Sequence, residues 1–132
     1  MKVQALSVIS PWGRRIAEGA KRIEVRRWRP KHLPIENVLI VENDRRLKKP
    51  NEIDPDGRAL ALVTIRDISD WTPDLAEAAC AEWQSGWLAW TLSDIRRIHA
   101  PFRAIAARKL YEIEIDDAVV TAGSASFRYP DE

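Results

Sequence analysis

Residues 19–26 read Gly-Ala-Lys-Arg-Ile-Glu-Val-Arg, and they mark the junction on which the fold prediction rests. Ile23 and Val25 alternate with charged residues, which is the two-residue period of a strand with one buried face. Gly19 favours the end of a helix, because glycine readily adopts the left-handed conformation that follows many helices. The stretch therefore predicts a helix end, a short connection and a second strand over residues 22–28.

The residues before this junction predict a first strand and a first helix. Apolar and small residues alternate over residues 3–9, which favours a strand. Ser10 and Pro11 follow, a pair that suits a helix start because Ser can cap free amides and Pro fits the first turn. We expect this helix near residues 10–20.

The residues after the junction predict further strands. Residues 38–41 are a continuous apolar run, typical of a central strand that is buried on both faces. Residues 44–58 are polar and contain Pro and Asp-Gly elements, so they are predicted to form a long loop. Further predicted elements are strands at 59–68, 87–98 and 109–115, a helix near 73–84, and a connection around Pro101-Phe102-Arg103.

Length and composition indicate one small globular protein. The 132 residues fit a single domain, which we place at residues 1–115 with a tail at 116–132. Cys80 is the sole cysteine, so no internal disulfide can form. We find neither a signal peptide nor an apolar run of about 18 residues, and expect a cytoplasmic protein without a membrane span.

The positive charge is concentrated in one part of the chain. Residues 14–49 carry twelve Lys/Arg against five Asp/Glu, although the net charge of the whole chain is only +1. Such a basic block is typical of a surface that meets a phosphate backbone, and the alternative is a solvated charge cluster. The chain also has six tryptophans, most of which should be core, while one or two could stack on bases.

The junction and its surroundings resemble the ASCH domain of the PUA-like superfamily. The signature G-x-K-x-x-E-x-R is complete as Gly19, Lys21, Glu24 and Arg26, after Pro11-Trp12 and before Trp28. The likeness extends over roughly residues 4–115. It departs at residues 101–106, where many members carry a Lys-Gly element that is absent here, and Arg103 or Arg108 is the candidate replacement for that charge.

The resemblance implies a strand-dominated α+β fold, a PUA-like β-barrel of about six strands with two main helices. It also implies a cleft that binds RNA, preferentially single-stranded. Glu24 and Arg26 share one face of a strand, where a carboxylate between two cations can orient them towards a phosphate. The alternative is a salt-bridge network that only ties helix to strand. The expected RNA-binding residues are Lys21, Arg22, Arg26, Arg27, Trp28, Arg29, Asn43, Arg45, Arg46 and Lys48.

The resemblance leaves two further classes of function open. If the cleft is catalytic, Lys21 and Glu24 are the candidates, as a ribonuclease on single-stranded RNA or as a 4-acetylcytidine amidohydrolase. The amidohydrolase branch has a threonine where Glu24 stands, and Glu77 or Glu82 would supply its carboxylate. The other class is a protein-interaction module in transcription or RNA metabolism. We expect no cofactor and no metal, because His32, His99 and the paired aspartates lack the spacing of a metal site.

Overall fold

The computed structural model describes residues 1–125 of the chain, with side chains described through Thr121. The described part contains six strands and three short helices. The strands are β1 (Lys2–Ile9), β2 (Ile23–Arg26), β3 (Ile35–Asn43), β4 (Ile53–Asp70), β5 (Leu88–Ala107) and β6 (Leu110–Glu114). The helices are α1 (Trp12–Ala17), α2 (Ala76–Ala79), which follows a 3-10 turn at Pro73–Leu75, and α3 (Asp117–Ala125).

The six strands form one mixed sheet in the order β2-β5-β4-β3-β1-β6. β1 and β3 are parallel and every other pair is antiparallel. The predicted strand-dominated α+β class is confirmed, but the predicted barrel is wrong, because the sheet does not close. A barrel needs a continuous backbone ladder around the whole sheet. Here β2 pairs only with β5, and the Arg26 side chain, not a ladder, reaches β1.

Both faces of the sheet are covered. In β3, Val38 and Ile40 belong to one core cluster, and Leu39 and Val41 belong to a second cluster on the opposite face. All four side chains are fully buried, as the apolar run predicted. α1 adds Ile16 to the first cluster. The sheet is therefore the central layer of the domain.

β4 starts earlier in the chain than the sequence indicates. Residues 53–58 were predicted as loop, yet Ile53, Asp54, Gly57 and Arg58 pair with β5. The register shifts between Asp54 and Gly57, so this bulge accommodates Pro55 and Asp56 within the strand. A Cβ on Gly57 would lie 2.6 Å from the Ala104 carbonyl oxygen. Gly57 therefore serves close strand packing rather than a turn.

β5 likewise passes through the predicted connection at Pro101-Phe102-Arg103. Phe102 pairs with Ala59 and Arg103 with Arg58 on the neighbouring strand. The ladder has a break between Ala59 and Ala61, opposite residues 97–102, where the proline is accommodated. The prediction of a separate connection is therefore wrong, and the chain turns only at Arg108 and Lys109.

α1 is shorter than the predicted helix near 10–20. Ser10 does not begin the helix, because its backbone N–H donates to the Asn43 carbonyl at 2.8 Å and so extends the β1–β3 ladder. Pro11 takes the cap position. The helix ends before Gly19, whose φ of +82° is the left-handed conformation that the sequence predicts there.

α2 is much shorter than the predicted helix near 73–84. Its last carbonyls accept from another part of the chain: Ala78 from the Arg22 N–H at 2.8 Å and Ala79 from Lys21 Nζ at 2.5 Å. Cys80 then adopts a left-handed conformation. The two main helices of the prediction are therefore short turns of helix, and their ends are fixed by the basic junction.

Part of the predicted tail is ordered. Asp117–Ala125 forms α3, and Val119 and Val120 pack against the second core cluster. Residues 126–132 lie outside the described residues, and the division of the chain at residue 115 stays a prediction. Within residues 1–125 no helix is long and apolar enough to cross a membrane.

Candidate functional site

The gap in the sheet forms an open cleft. Its walls are the end of β1 at Ser7–Ile9, the outer side of β2, the segment that follows β3, and the turn between β5 and β6. The cleft measures about 610 Å³, which is the size of a typical ligand pocket. β6 pairs with β1 only over Lys2–Leu6, so Ser7 and the two residues after it remain to line the opening.

The lining of the cleft is cationic and aromatic. Among the residues whose side chains are described, seven Lys and Arg line it against two carboxylates, Glu24 and Glu82. Four of the six tryptophans line it as well. The cations are Lys21, Arg26, Arg27, Arg45, Arg46, Arg108 and Lys109, and the rings are those of Trp12, Trp28, Trp71 and Trp87.

Lys21 lies at the buried base of the cleft. Its Nζ donates to the Ala79 carbonyl at 2.5 Å and lies 3.5 Å from Glu24 Oε1. The same ammonium stands 5.9 Å from the centre of the Trp12 ring, within cation–π range. An ammonium has three donors, and two of them serve α2 and Glu24. Lys21 therefore ties helix to strand while it still faces the cleft.

Glu24 stands between the two cations of the signature. Arg26 Nη2 donates to Glu24 Oε2 at 2.6 Å and Arg26 Nε does so at 3.0 Å. Burial raises the pKa of Glu24, but the charges of Arg26 and Lys21 and their hydrogen bonds outweigh it, so the pKa lies below its ordinary value. Glu24 therefore stays ionised at neutral pH and orients both cations, as the sequence predicts.

Two cation–aromatic contacts, one from an arginine and one from a lysine, lie on the outer wall. The Arg27 guanidinium lies 5.1 Å from the centre of the Trp87 ring. Trp28 meets the buried Trp90 edge to face, with ring centres 4.8 Å apart, and Lys109 Nζ lies 5.6 Å from the Trp28 ring. Trp28 is therefore shared between core and cleft, whereas Trp87 carries a cation at the rim.

The segment after β3 supplies the far wall. The buried Asn43 amide donates to the Arg45 carbonyl at 2.6 Å. Arg45 pairs with Glu52 at 2.6 Å, and Glu52 also accepts the backbone N–H groups of Lys48 and Lys49. These backbone hydrogen bonds, together with Arg45, hold the pKa of Glu52 at about 2. The loop is thus ordered by one carboxylate.

The structure brings most of the predicted RNA-binding residues to this cleft. Arg22, Arg29 and Lys48 are not in its lining: the Arg22 side chain donates to the Gly19 carbonyl, and Arg29 and Lys48 are exposed outside it. Arg108, proposed as a replacement charge, lines the cleft, while Arg103 pairs with Asp56 elsewhere. The predicted site residues that do line the cleft are Lys21, Glu24, Arg26, Arg27, Trp28, Asn43, Arg45 and Arg46.

Sequence reasoning missed several lining residues. Trp12, Trp71 and Trp87 were not assigned to the site, since most tryptophans were expected in the core. Lys109 was predicted as the start of a strand, but it lies in the turn between β5 and β6 and lines the cleft. Glu82, one of two candidate carboxylates, lines the cleft and Glu77 does not. Within residues 1–125 no group of three or more His, Cys, Asp or Glu is arranged to hold a metal ion.

Fold and site together define a strand-rich domain whose charged cleft opens between its first two strands. The family model described as "ASCH domain" matches residues 6–113. The chain therefore belongs to the ASCH domain family. Among solved structures it is similar to that of a ZmASCH point mutant from Zymomonas mobilis, at 15% identity and a TM-score of 0.51. The match covers 96% of this chain and 98% of that one and concerns the fold alone. No curated protein matches.

Proposed function

We propose that this protein binds single-stranded RNA in the cleft between β1 and β2. The observation that carries the proposal is the composition of the lining, with seven cations and four tryptophans around one opening. Cations hold a phosphate backbone without regard to sequence, and aromatic rings offer stacking surfaces to unpaired bases. A duplex hides its base faces, so this combination favours single strands.

The cations differ in how free they are to take a phosphate. Lys21 and Arg26 are committed to Glu24, and Arg45 is paired with Glu52. Arg46 is exposed and makes no ion pair with any described residue. The partnered cations therefore shape the cleft, and Arg46 and the turn between β5 and β6 are the better candidates for direct phosphate contacts.

A titration over a range of salt concentrations tests the proposal. Fluorescence anisotropy with a labelled single-stranded RNA of mixed sequence should show binding that weakens as salt rises. In a plot of log affinity against log salt concentration, the negative slope becomes shallower by about 0.7 for each phosphate contact that is lost. Arg46→Ala should therefore make the slope shallower by about 0.7. Arg66→Ala is the control, because Arg66 is exposed on β4 outside the cleft. Absence of binding at low salt would refute the proposal, and equal slopes for both variants would exclude Arg46 as a phosphate contact.

A second candidate is hydrolysis of RNA in the same cleft, since Lys21 and Glu24 meet at its base and Glu82 lines it. A ribonuclease needs a cation at the phosphate and a base near the attacking hydroxyl. The lowered pKa of Glu24 makes it a weak base, which is why binding is the first proposal. For an amidohydrolase of the 4-acetylcytidine type, this chain lacks the threonine, because Glu24 stands in its place.

Activity assays separate the two candidates. Labelled RNA and 4-acetylcytidine should be incubated with the wild type and with Lys21→Ala, Glu24→Gln and Glu82→Gln. Glu77→Gln is the matched control, because Glu77 lies outside the cleft. A hydrolase would lose turnover in the cleft variants while the control stays active. Absence of turnover in the wild type, together with salt-dependent RNA binding, would leave the binding role alone.

A further inference from the structure

A second concave surface lies on the other side of α1. It is a groove of about 210 Å³ bounded by α1, β3, β4 and β5. Glu42 lines this groove, whereas the next residue, Asn43, lines the cleft. No described residue lines both the groove and the cleft, so they are separate sites. We call it the arginine groove, after Arg14, Arg58 and Arg97.

Glu42 fixes the geometry of the arginine groove. It is only 4% exposed, and its carboxylate accepts the Arg14 backbone N–H at 2.9 Å and Arg58 Nη2 at 3.0 Å. α1 also sits directly on β3, because a Cβ on Gly13 would lie 2.7 Å from the Glu42 Cβ. The helix that carries Arg14 and the strand that carries Arg58 are therefore held together at this carboxylate.

The three guanidinium groups keep donors available to a ligand. Arg58 uses Nη2 for both Glu42 and Asp44, and its other nitrogens make no hydrogen bond with the described residues. The side chains of Arg14 and Arg97 are exposed and make no ion pair within residues 1–121. Glu18 also lines the groove, but it already pairs with Arg15 at 3.7 Å. The groove therefore holds free N–H donors on three arginines, while its carboxylates Glu42 and Glu18 are already engaged.

We propose that the arginine groove is a second phosphate-binding site, distinct from the cleft. Guanidinium groups present planar pairs of N–H donors that match the oxygens of a phosphate, and such charge-assisted bonds are among the strongest in proteins. Leu60 and Ile98 supply the apolar part of the lining beside these donors. The phosphate comes either from a nucleic-acid backbone or from a free phosphate ester, and the site does not depend on what binds in the cleft.

Arginine side-chain spectra test the site with inorganic phosphate as the probe. In 15N-labelled protein, the Nε–Hε signals of Arg14, Arg58 and Arg97 should shift saturably with phosphate, and not with chloride at equal ionic strength. Arg14→Ala and Arg97→Ala should each weaken phosphate binding about tenfold. Arg66→Ala, outside both sites, should leave the response of the three groove signals to phosphate unchanged, and so should Arg46→Ala, whose expected phosphate contact lies in the cleft. No saturable shift, or an equal response to chloride, would overturn the proposal.

A competition arm identifies the source of the phosphate. Single-stranded RNA is then added to phosphate-saturated protein. If a nucleic-acid backbone occupies the groove, the Nε–Hε signals of the three arginines should move from their phosphate-bound positions to new positions that are the same with and without phosphate. If the arginine signals stay at their phosphate-bound positions while RNA binds the cleft, the groove is assigned to a free phosphate ester. The phosphate titration needs no RNA. A negative result for phosphate binding in the groove is therefore distinguishable from a negative result for RNA binding in the cleft. If Arg46→Ala abolished the shift of the groove signals with phosphate, the proposal that the groove is separate from the cleft would be overturned.

Discussion

The guanidinium of Arg26 donates a hydrogen bond of 2.9 Å to the backbone carbonyl of Ser7. These residues lie on the two strands that flank the cleft, β2 and β1, so a side chain crosses the gap where a closed barrel would have a backbone ladder. The same nitrogen holds Glu24 at 2.6 Å. Arg26 therefore fixes the width of the cleft.

Arg26→Lys should lower the free energy of unfolding, because a lysine cannot hold both Glu24 and the Ser7 carbonyl with one planar group. Hydrogen bonds to charged groups contribute about 1.5–3 kcal/mol, and we expect a loss in that range by urea denaturation. Arg27→Lys is the control, since Arg27 is exposed on the adjacent position. Equal stability of the two variants would mean that Arg26 does not brace the gap.

Glu24 should make stability depend on pH in the acid range. Its pKa is lowered in the folded protein, so its contribution is fully present above the ordinary value of 4.5 and is lost as pH falls through the lower folded value. Glu24→Gln leaves two cations without their counter-charge and should cost about 3 kcal/mol at neutral pH.

The difference between the wild type and Glu24→Gln should shrink as pH falls below 4.5, because the wild-type carboxyl then loses its charge too. Urea unfolding at several pH values measures it. A difference that stays constant with pH would show that Glu24 does not act through its charge. Glu36→Gln serves as the control, since Glu36 is exposed on β3.

Trp28 and Trp87 should respond differently to replacement by leucine. Trp28→Leu removes the edge-to-face contact with Trp90 and should lower the free energy of unfolding by about 1–2 kcal/mol. Trp87→Leu should weaken RNA binding by about 1–3 kcal/mol if its ring stacks on a base, without changing the salt slope. Thermal unfolding and anisotropy titrations on both variants check this. If Trp28→Leu weakened RNA binding and Trp87→Leu lowered stability, Trp28 would be the stacking ring and Trp87 the core residue.

Glu52 should control the order of the loop after β3. Its pKa of about 2 follows from the backbone hydrogen bonds of Lys48 and Lys49 and from Arg45. Because this pKa is lowered, the loop stays ordered above the ordinary value and loosens only as pH falls towards about 2. Glu52→Ala should speed amide exchange at Lys48 and Lys49 at neutral pH. Asp56→Ala, which breaks an exposed pair with Arg103, should not.

The parts of the fold that were predictable have an unbroken side-chain period. The alternation at Ile23 and Val25 indicated β2, and the apolar run at 38–41 indicated a strand buried on both faces. The strands predicted at 59–68 and 87–98 lie within β4 and β5, but the full lengths of these two strands could not be predicted, because their register shifts interrupt the alternation. Pro55 and Pro101 resemble strand breakers, and only the paired strands show that bulges accommodate them.

The site was predictable where it is local in sequence. Lys21, Glu24 and Arg26 lie within one short motif, so their charges could be read together. Lys109 and Trp71 reach the cleft only because the sheet brings its distant segments together, and no periodicity reports that. β2 is only four residues long and pairs with β5, and local patterning does not set where it ends.

The cleft joins residues from Ser7 to Lys109, nearly the full span of the sheet. A ligand that bridges the two walls would therefore be linked to unfolding of the whole domain. Binding at a hundredfold excess over Kd stabilises a folded state by about 2.7 kcal/mol. The occupied protein should consequently resist proteases that cleave through global unfolding by about a hundredfold more than the empty one. In a cell, the lifetime of this protein would follow the supply of its ligand.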